Sequence, residues 1–144
     1  MPEEAPAMLA AHRSWSAVHR KAKADWLDLM ADDVCIEDPI GVSALDPVGK
    51  GQCGKEAVSA FWDRNIAPSS IRIEAHHSFA AGQESAHLLT LTTTFPNGGS
   101  MTVRGIFTYR VNDAGRLVSL RGFWGMENAQ VAPPPERGPA AGGA

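Results

Sequence analysis

The residues best suited to chemistry lie in the segment 34–41, Val-Cys-Ile-Glu-Asp-Pro-Ile-Gly. Read as a strand, this segment places alternate side chains on opposite faces. The apolar face holds Val34, Ile36, Asp38 and Ile40, and the other face holds Cys35 and Glu37. Burial among apolar side chains destabilises a charged carboxylate, so we expect a raised pKa for Asp38. Such a carboxylate can take a proton from a weakly acidic carbon and return it, which makes Asp38 a candidate general base.

A structural interpretation of Asp38 is also open. An Asp before a Pro, here Pro39, often forms a turn in which its side chain accepts hydrogen bonds from nearby backbone N–H groups. The pattern alone is compatible with both interpretations.

Helical periodicity surrounds this segment in the first half of the chain. The apolar residues Met8, Ala11, Trp15 and Val18 recur on one helical face, which predicts a first helix. A second helix is expected over residues 24–30. A third is expected to begin after Gly54 and to end before Pro68.

The second half of the chain alternates as strands do. Strands are predicted at 71–79, 86–95, 101–111 and 116–126. The inner face of the predicted strand 101–111 is expected to hold Met101, Val103, Gly105, Phe107, Tyr109 and Val111. The inner face of the predicted strand 116–126 is expected to hold Val118, Leu120, Gly122, Trp124 and Met126. Helices followed by strands predict an α+β fold, with helices covering one face of a curved antiparallel sheet.

Composition narrows the class of protein. The 144 residues carry 13 basic and 16 acidic side chains, a net charge of −3, with 44% hydrophobic residues. This balance argues against a nucleic-acid partner, because binding to phosphates needs clustered basic residues. No stretch has the roughly 20 apolar residues of a membrane span, and the N-terminus lacks signal-peptide features. A cytoplasmic protein without a membrane partner is the simplest expectation.

Two further expectations concern the cysteines and the end of the chain. Cys35 and Cys53 form no metal-ligand pattern, and we expect reduced thiols, although a disulfide between them is possible. Residues 131–144 are rich in Pro, Gly and Ala, which predicts a disordered tail after a single domain at 1–130.

Several segments resemble bacterial ketosteroid isomerases (steroid Δ-isomerases), members of the nuclear transport factor 2-like superfamily that includes SnoaL-like proteins. They are residues 29–41, 54–62, 107–116 and 118–125, within a resemblance that covers roughly residues 8–128. The resemblance implies a conical α+β barrel, in which a curved, largely antiparallel sheet and three helices enclose an apolar pocket. It also implies that Asp38 moves a proton from carbon 4 to carbon 6 of a 3-oxo-Δ5-steroid through a dienolate, without metal or cofactor.

The sequence departs from this family at the groups that stabilise the dienolate oxygen. Ungapped counting from Asp38 places Ser14 at the family's Tyr position and Phe107 at the position of its protonated Asp. Loss of one such donor lowers the rate on the order of 10²–10³-fold. The candidate substitutes are Tyr109, Trp15 and Ser14, since Tyr109 is the only Tyr and shares a strand face with Phe107. The alternative is that these residues only pack around the pocket.

The same reasoning assigns the wall of the pocket. The expected substrate-binding residues are Phe61, Trp62, Phe107, Trp124, Met126 and Ile40, together with Trp15 and Tyr109. His76, His77 and His87 are interpreted as exposed sheet histidines, although His87 can in principle pair with one of the others to hold a metal. Outward-facing arginines are predicted at 104, 110 and 121, either solvated or in a homodimer contact.

Three functions remain open from the sequence. The first is a steroid isomerase with Asp38 as base. The second is a protein that binds a steroid-like or lipid-like ligand without turnover. The third is another enzyme of the superfamily, such as a polyketide cyclase or an epoxide hydrolase, although the latter needs an Asp–Arg–Asp arrangement inside the pocket. The fold alone does not choose among them.

Overall fold

A computed structural model describes residues 4–44 and 46–135. The helices are α1 (Pro6–Arg20), α2 (Lys23–Asp28) and α3 (Lys55–Phe61), and α3 continues into a π-helical turn (Trp62–Ile66). The strands are β1 (Met30–Glu37), β2 (Gln52–Cys53), β3 (Ser70–Ala81), β4 (Glu84–Thr94), β5 (Ser100–Val111), β6 (Leu117–Phe123) and β7 (Ala129–Ala132). A single 3₁₀ turn, Met126–Asn128, lies between β6 and β7. The predicted α+β class is confirmed.

The strands form one curved mixed sheet in the order β2-β1-β6-β5-β4-β3. Neighbours pair antiparallel except β1 and β6, which run parallel. The long strand β5 pairs with β6 along its second half and with β7 along its first half. Helix α1 packs across the inner face of this sheet, because its alanines and Val18 are buried against it. Within the described residues, no helix is both long and apolar enough to cross a membrane.

The end of the second helix and the end of the domain differ from the sequence prediction. The second helix ends at Asp28, and Met30 already belongs to β1, where it pairs with Leu117. Strand β7 crosses the predicted domain boundary at residues 130 and 131, because backbone groups of this segment pair with the free half of β5. The rest of the predicted tail, from residue 136 onward, lies outside the described residues.

The alternation predicted for β6 fails at its start. Arg110 pairs with Ser119 but the next residue, Val111, pairs with Leu117, so Val118 is an extra residue in the ladder. Leu117 is buried in the core instead of Val118. Beyond this bulge Leu120 and Trp124 line the central cavity as predicted, but the strand ends at Phe123 instead of Met126. Gly125, Met126 and Glu127 line the cavity from the segment after the strand.

Candidate active site

A cavity of about 550 Å³ opens between the inner face of the sheet and the helices. Its wall is mostly aliphatic and aromatic, and it includes Asp38, Tyr109 and Glu127 as titratable side chains. No Lys, Arg or His of the described residues belongs to this lining. A cavity of this size and polarity suits a small molecule that is apolar and carries few polar groups.

Asp38 follows β1 directly and faces this cavity. The predicted alternation is present, since Val34 and Ile36 are buried while Glu37 lies on the outer face of the sheet with Arg121. The Oδ1 atom of Asp38 accepts a hydrogen bond from the indole Nε1–H of Trp124 at 2.7 Å. Burial raises the pKa of Asp38, and this hydrogen bond acts in the opposite direction. Within the part of the chain that the structure describes, Asp38 is therefore a carboxylate in the cavity without a cationic partner.

Gly122 makes room for that carboxylate. A Cβ atom on Gly122 would lie 2.6 Å from Oδ1 of Asp38 and 2.8 Å from the ring of Phe107. Both distances are shorter than van der Waals contact, so a larger residue there would force the carboxylate or the ring to move. The position of Asp38 thus depends on β6 as well as on β1.

Tyr109 carries the phenol of the cavity. Its hydroxyl oxygen accepts a hydrogen bond from Nε1–H of Trp15 at 2.8 Å. Within the described part of the chain the hydroxyl has no acceptor for its own proton. Burial raises the pKa of Tyr109, the charge of Asp38 acts in the same direction, and the hydrogen bond from Trp15 opposes both. Tyr109 is thus a neutral donor with a proton available for a bound ligand.

The other two predicted donors differ, since Trp15 has already donated its N–H whereas Ser14 acts only as an acceptor among the described residues. The N–H of Trp15 is donated to Tyr109, and the hydroxyl of Ser14 accepts a hydrogen bond from Nε1–H of Trp26 at 3.1 Å. Ser14 and Trp15 both line the cavity. Tyr109 and Ser14 thus each keep a hydroxyl proton for which no acceptor is found among the described residues, whereas the N–H of Trp15 is already donated.

The structure places five of the six predicted substrate-binding residues in the lining: Ile40, Phe61, Phe107, Trp124 and Met126. Trp62 is the exception, and its assignment to the wall is a mistake of the sequence prediction. Its indole is buried and packs against Trp26, with ring centroids 5.0 Å apart. Trp62 begins the π-helical turn after α3 and contacts Trp26, which does line the cavity.

The interpretation of His87 as an exposed residue is wrong. His87 is 1% exposed and lies on the inner face of β4. Its ring nitrogens contact the hydroxyls of Ser78 and Ser85, each at 2.7 Å, and burial lowers its pKa to about 4. The signal was present in the sequence, because His87 is in phase with Leu89 and Leu91, which line the cavity. His76, in contrast, is exposed and bonds Thr90 on the outer face.

The expected reduced thiols are also contradicted. Cys35 and Cys53 form a disulfide that links β1 to β2, where the two residues are cross-strand partners. The sequence could not favour this pairing, because the contact depends on strand β2, which is too short to show the alternation of a strand. The disulfide lies on the same outer face as Glu37.

Comparisons with known proteins agree with this geometry. The SnoaL-like domain family matches residues 11–120, so the chain belongs to that family and shares its nuclear transport factor 2-like fold. Its structure is similar to the Δ5-3-ketosteroid isomerase from Mycobacterium sp. (TM-score 0.87, 44% identity, 90% of this chain and 100% of that chain).

Two further solved structures are similar. One is Rv0760c of Mycobacterium tuberculosis in complex with estradiol-17β-hemisuccinate (TM-score 0.86, 43% identity, 88% of this chain and 99% of that chain). The other is a computationally designed 17-OHP binder (TM-score 0.88, 40% identity, 90% of this chain and 100% of that chain). Those proteins bind steroid-like ligands within the same fold.

Proposed function

We propose that this protein is a ketosteroid isomerase-like enzyme that moves a carbon–carbon double bond in a 3-oxo-Δ5-steroid or a similar flat, apolar ketone. The observation that carries the proposal is the Asp38 carboxylate, held in an apolar cavity without a cationic partner. Burial raises its pKa towards the range in which a carboxylate can both accept and return a proton. The similarity to a Δ5-3-ketosteroid isomerase at 44% identity supports the same assignment.

The proposed reaction needs two groups of the chain. Asp38 takes a proton from carbon 4, the electron pair of that C–H bond shifts towards the ketone oxygen, and a dienolate forms. Tyr109 donates its hydroxyl proton in a hydrogen bond to that oxygen, while Trp15 donates to the Tyr109 oxygen from the other side. The protonated Asp38 then delivers the proton to carbon 6, which restores the carboxylate and leaves the conjugated enone.

The polarity of the cavity supports a neutral substrate. The lining holds Asp38 and Glu127 but no cationic side chain among the described residues, so an anionic ligand would meet only like charge. The absence of Arg from the same lining argues against the Asp–Arg–Asp arrangement of an epoxide hydrolase. The volume of about 550 Å³ lies within the usual range for small-molecule sites.

The direct test is turnover of 5-androstene-3,17-dione, followed by the ultraviolet absorbance of the conjugated enone. Asp38→Asn is expected to lower kcat about 10²–10⁴-fold, the usual contribution of a general base. Glu37→Gln is the matched control, because Glu37 is the neighbouring carboxylate on the outer face, paired with Arg121. Full activity in Asp38→Asn, or an equal loss in Glu37→Gln, would contradict the assigned role.

A second candidate is a protein that binds a steroid-like ligand without turnover. The hydrogen bond from Trp124 favours it, because that bond stabilises the charged form of Asp38 and makes it a weaker base. Two of the similar structures are described by the steroid that they bind. Quenching of tryptophan fluorescence by the steroid, without formation of enone over hours, would favour binding over catalysis.

The proposal includes a homodimer formed through the outer face of the sheet. Ile106 and Phe123 are cross-strand partners on that face and are 42% and 48% exposed. A second copy of the chain that packs on this face would cover these two side chains.

A further inference from the structure

A buried histidine that the proposed reaction does not use packs against the wall of the cavity. His87 lies on β4 between Ser78 of β3 and Phe107 of β5, its cross-strand partners. It does not belong to the cavity lining, but its ring contacts two residues that do. A fully buried imidazole in such a place needs partners for both nitrogens, and the structure supplies them.

The hydrogen bonds of His87 fix its tautomer. The hydroxyl of Ser85 donates its one proton to the backbone carbonyl of Ala7 in α1, at 3.3 Å. The Ser85 oxygen must then accept at its contact with Nε2 of His87, so Nε2 carries the proton. The remaining nitrogen, Nδ1, is left as the acceptor for the hydroxyl of Ser78. The result is a directed series of hydrogen bonds from β3 through His87 to the start of α1.

This series holds a neutral ring. Burial lowers the pKa of His87 to about 4, and the nearby charge of His12 acts in the same direction. At neutral pH the imidazole therefore has one donor and one acceptor, which match the two serine hydroxyls. A ring held from both nitrogens has little freedom to rotate or tilt.

The held ring in turn packs against the Trp15–Tyr109 pair. Its centroid lies 4.9 Å from that of Trp15 and 5.4 Å from that of Tyr109, with the rings near perpendicular at 83° and 82°. Trp15 and Tyr109 also meet edge to face, with centroids 6.1 Å apart. Each of the three rings therefore restricts the other two, and edge-to-face contacts of this kind are directional.

We propose that His87 is a positioning residue for the Tyr109 hydroxyl, holding the Trp15–Tyr109 pair so that the phenol proton points at the oxygen of a bound ketone or phenol. This inference rests on the proposed function, in which Tyr109 is the donor to the ligand oxygen. It adds a residue that touches no substrate and acts through the orientation of the donor. A change at His87 should consequently matter only while the Tyr109 hydroxyl is present.

The test is a double-mutant cycle between His87→Phe and Tyr109→Phe, with turnover of 5-androstene-3,17-dione and binding of 2-naphthol as readouts. His87→Phe keeps a ring of similar shape and removes the hydrogen bonds. It is expected to lower kcat about 10- to 100-fold with little change in KM, the scale of a misplaced catalytic group. His87→Gln, which retains one donor and one acceptor but lacks the ring that packs against Trp15 and Tyr109, is expected to recover only part of this loss.

The coupling decides between positioning and general structural support. In the Tyr109→Phe background, His87→Phe is expected to cost less than about twofold, because coupled residues are not additive. An equal fold-loss in both backgrounds, or no loss in His87→Phe alone, would overturn the inference. If His87→Phe does not fold by circular dichroism, Ser85→Ala replaces it in the cycle, since it removes the acceptor for Nε2.

The two readouts separate this inference from the proposed function. If the wild-type protein does not convert the steroid but 2-naphthol binding shows the coupling, the isomerase proposal fails and the positioning role stands. If the steroid is converted and neither readout shows coupling, the isomerase proposal stands and the role of His87 is wrong.

Discussion

The two faces of the β1–β6 ladder carry adjacent carboxylates in opposite surroundings. On the outer face Glu37 is the cross-strand partner of Arg121 and forms an ion pair with it at 3.1 Å. On the inner face Asp38 has no cationic partner among the described residues and accepts a hydrogen bond from Trp124. The outer carboxylate is paired and partly solvated, whereas burial destabilises the charged form of the inner one and raises its pKa.

The comparison extends to the neighbouring residues on each face. The outer face holds the Cys35–Cys53 disulfide, a covalent link that restrains the chain. The inner face holds Gly122, where a missing side chain leaves room for the carboxylate. We therefore expect changes on the outer face to lower stability with little effect on activity, and changes on the inner face to lower activity.

Among the changes that test this comparison, loss of the disulfide should have the largest effect, and that effect is on the free energy of unfolding. The bridge joins residues separated by 18 positions, and a loop of that size predicts a loss of about 3 kcal/mol in the free energy of unfolding for Cys53→Ser. Urea denaturation measures it, and wild-type protein under reducing conditions should show the same loss. Activity per folded molecule should be retained. An unchanged urea midpoint would remove the disulfide from the stabilising features of the outer face.

On the inner face, Gly122→Ala should displace the Asp38 carboxylate. The added Cβ would meet Asp38 Oδ1 and the Phe107 ring at 2.6 and 2.8 Å, so the carboxylate must shift. A displacement of about 1 Å can cost on the order of 100-fold in rate, and we expect a loss of that size in kcat. Ser119→Ala is the matched control, since Ser119 lies on the same strand opposite Cys35. Equal kcat values for both variants would show that the close approach at Gly122 does not position the base.

The smallest expected effects are the changes in Tm when either of the two carboxylates is replaced by an amide. Because the pKa of Asp38 is raised on folding, the folded state binds its proton more tightly than the unfolded state does. Asp38 therefore makes the folded state less stable as the pH rises from the ordinary pKa of an Asp, about 3.9, through the higher pKa that Asp38 has in the folded protein. Asp38→Asn should raise Tm by a few degrees at pH 7, and the difference should vanish near pH 3.

Glu37→Gln should move the Tm in the opposite direction. The Glu37–Arg121 pair is partly exposed, so its loss should cost less than about 1 kcal/mol. Thermal denaturation of both variants at pH 3 and pH 7 measures the two effects together. A lower Tm for Asp38→Asn at pH 7 would mean that the inner carboxylate contributes to stability, and the contrast between the faces would be lost.

Much of the site follows from local pattern. The period of a strand separates Asp38 from Glu37 and brings Phe107 and Tyr109 to one face, because side-chain alternation depends only on nearby backbone geometry. The same rule would have placed His87 inside. It failed for Val118, since the bulge opposite Arg110 and Val111 arises from pairing with β5. It also could not exclude Trp62 from the cavity wall, because the direction of a side chain in a π-helical turn depends on packing.

The sequence by itself determined the class of fold, the carboxylate on an apolar face and the one phenol that can serve as a donor. Only the tertiary structure decided which groups meet. Trp124 reaches Asp38 across 86 positions of the chain and Trp15 reaches Tyr109 across 94, and the disulfide joins β1 to a strand of two residues. Such contacts depend on how the sheet curves and where α1 crosses it. The physical reason is that alternation is fixed by neighbouring residues, whereas hydrogen-bond partners are fixed by the packing of the whole chain.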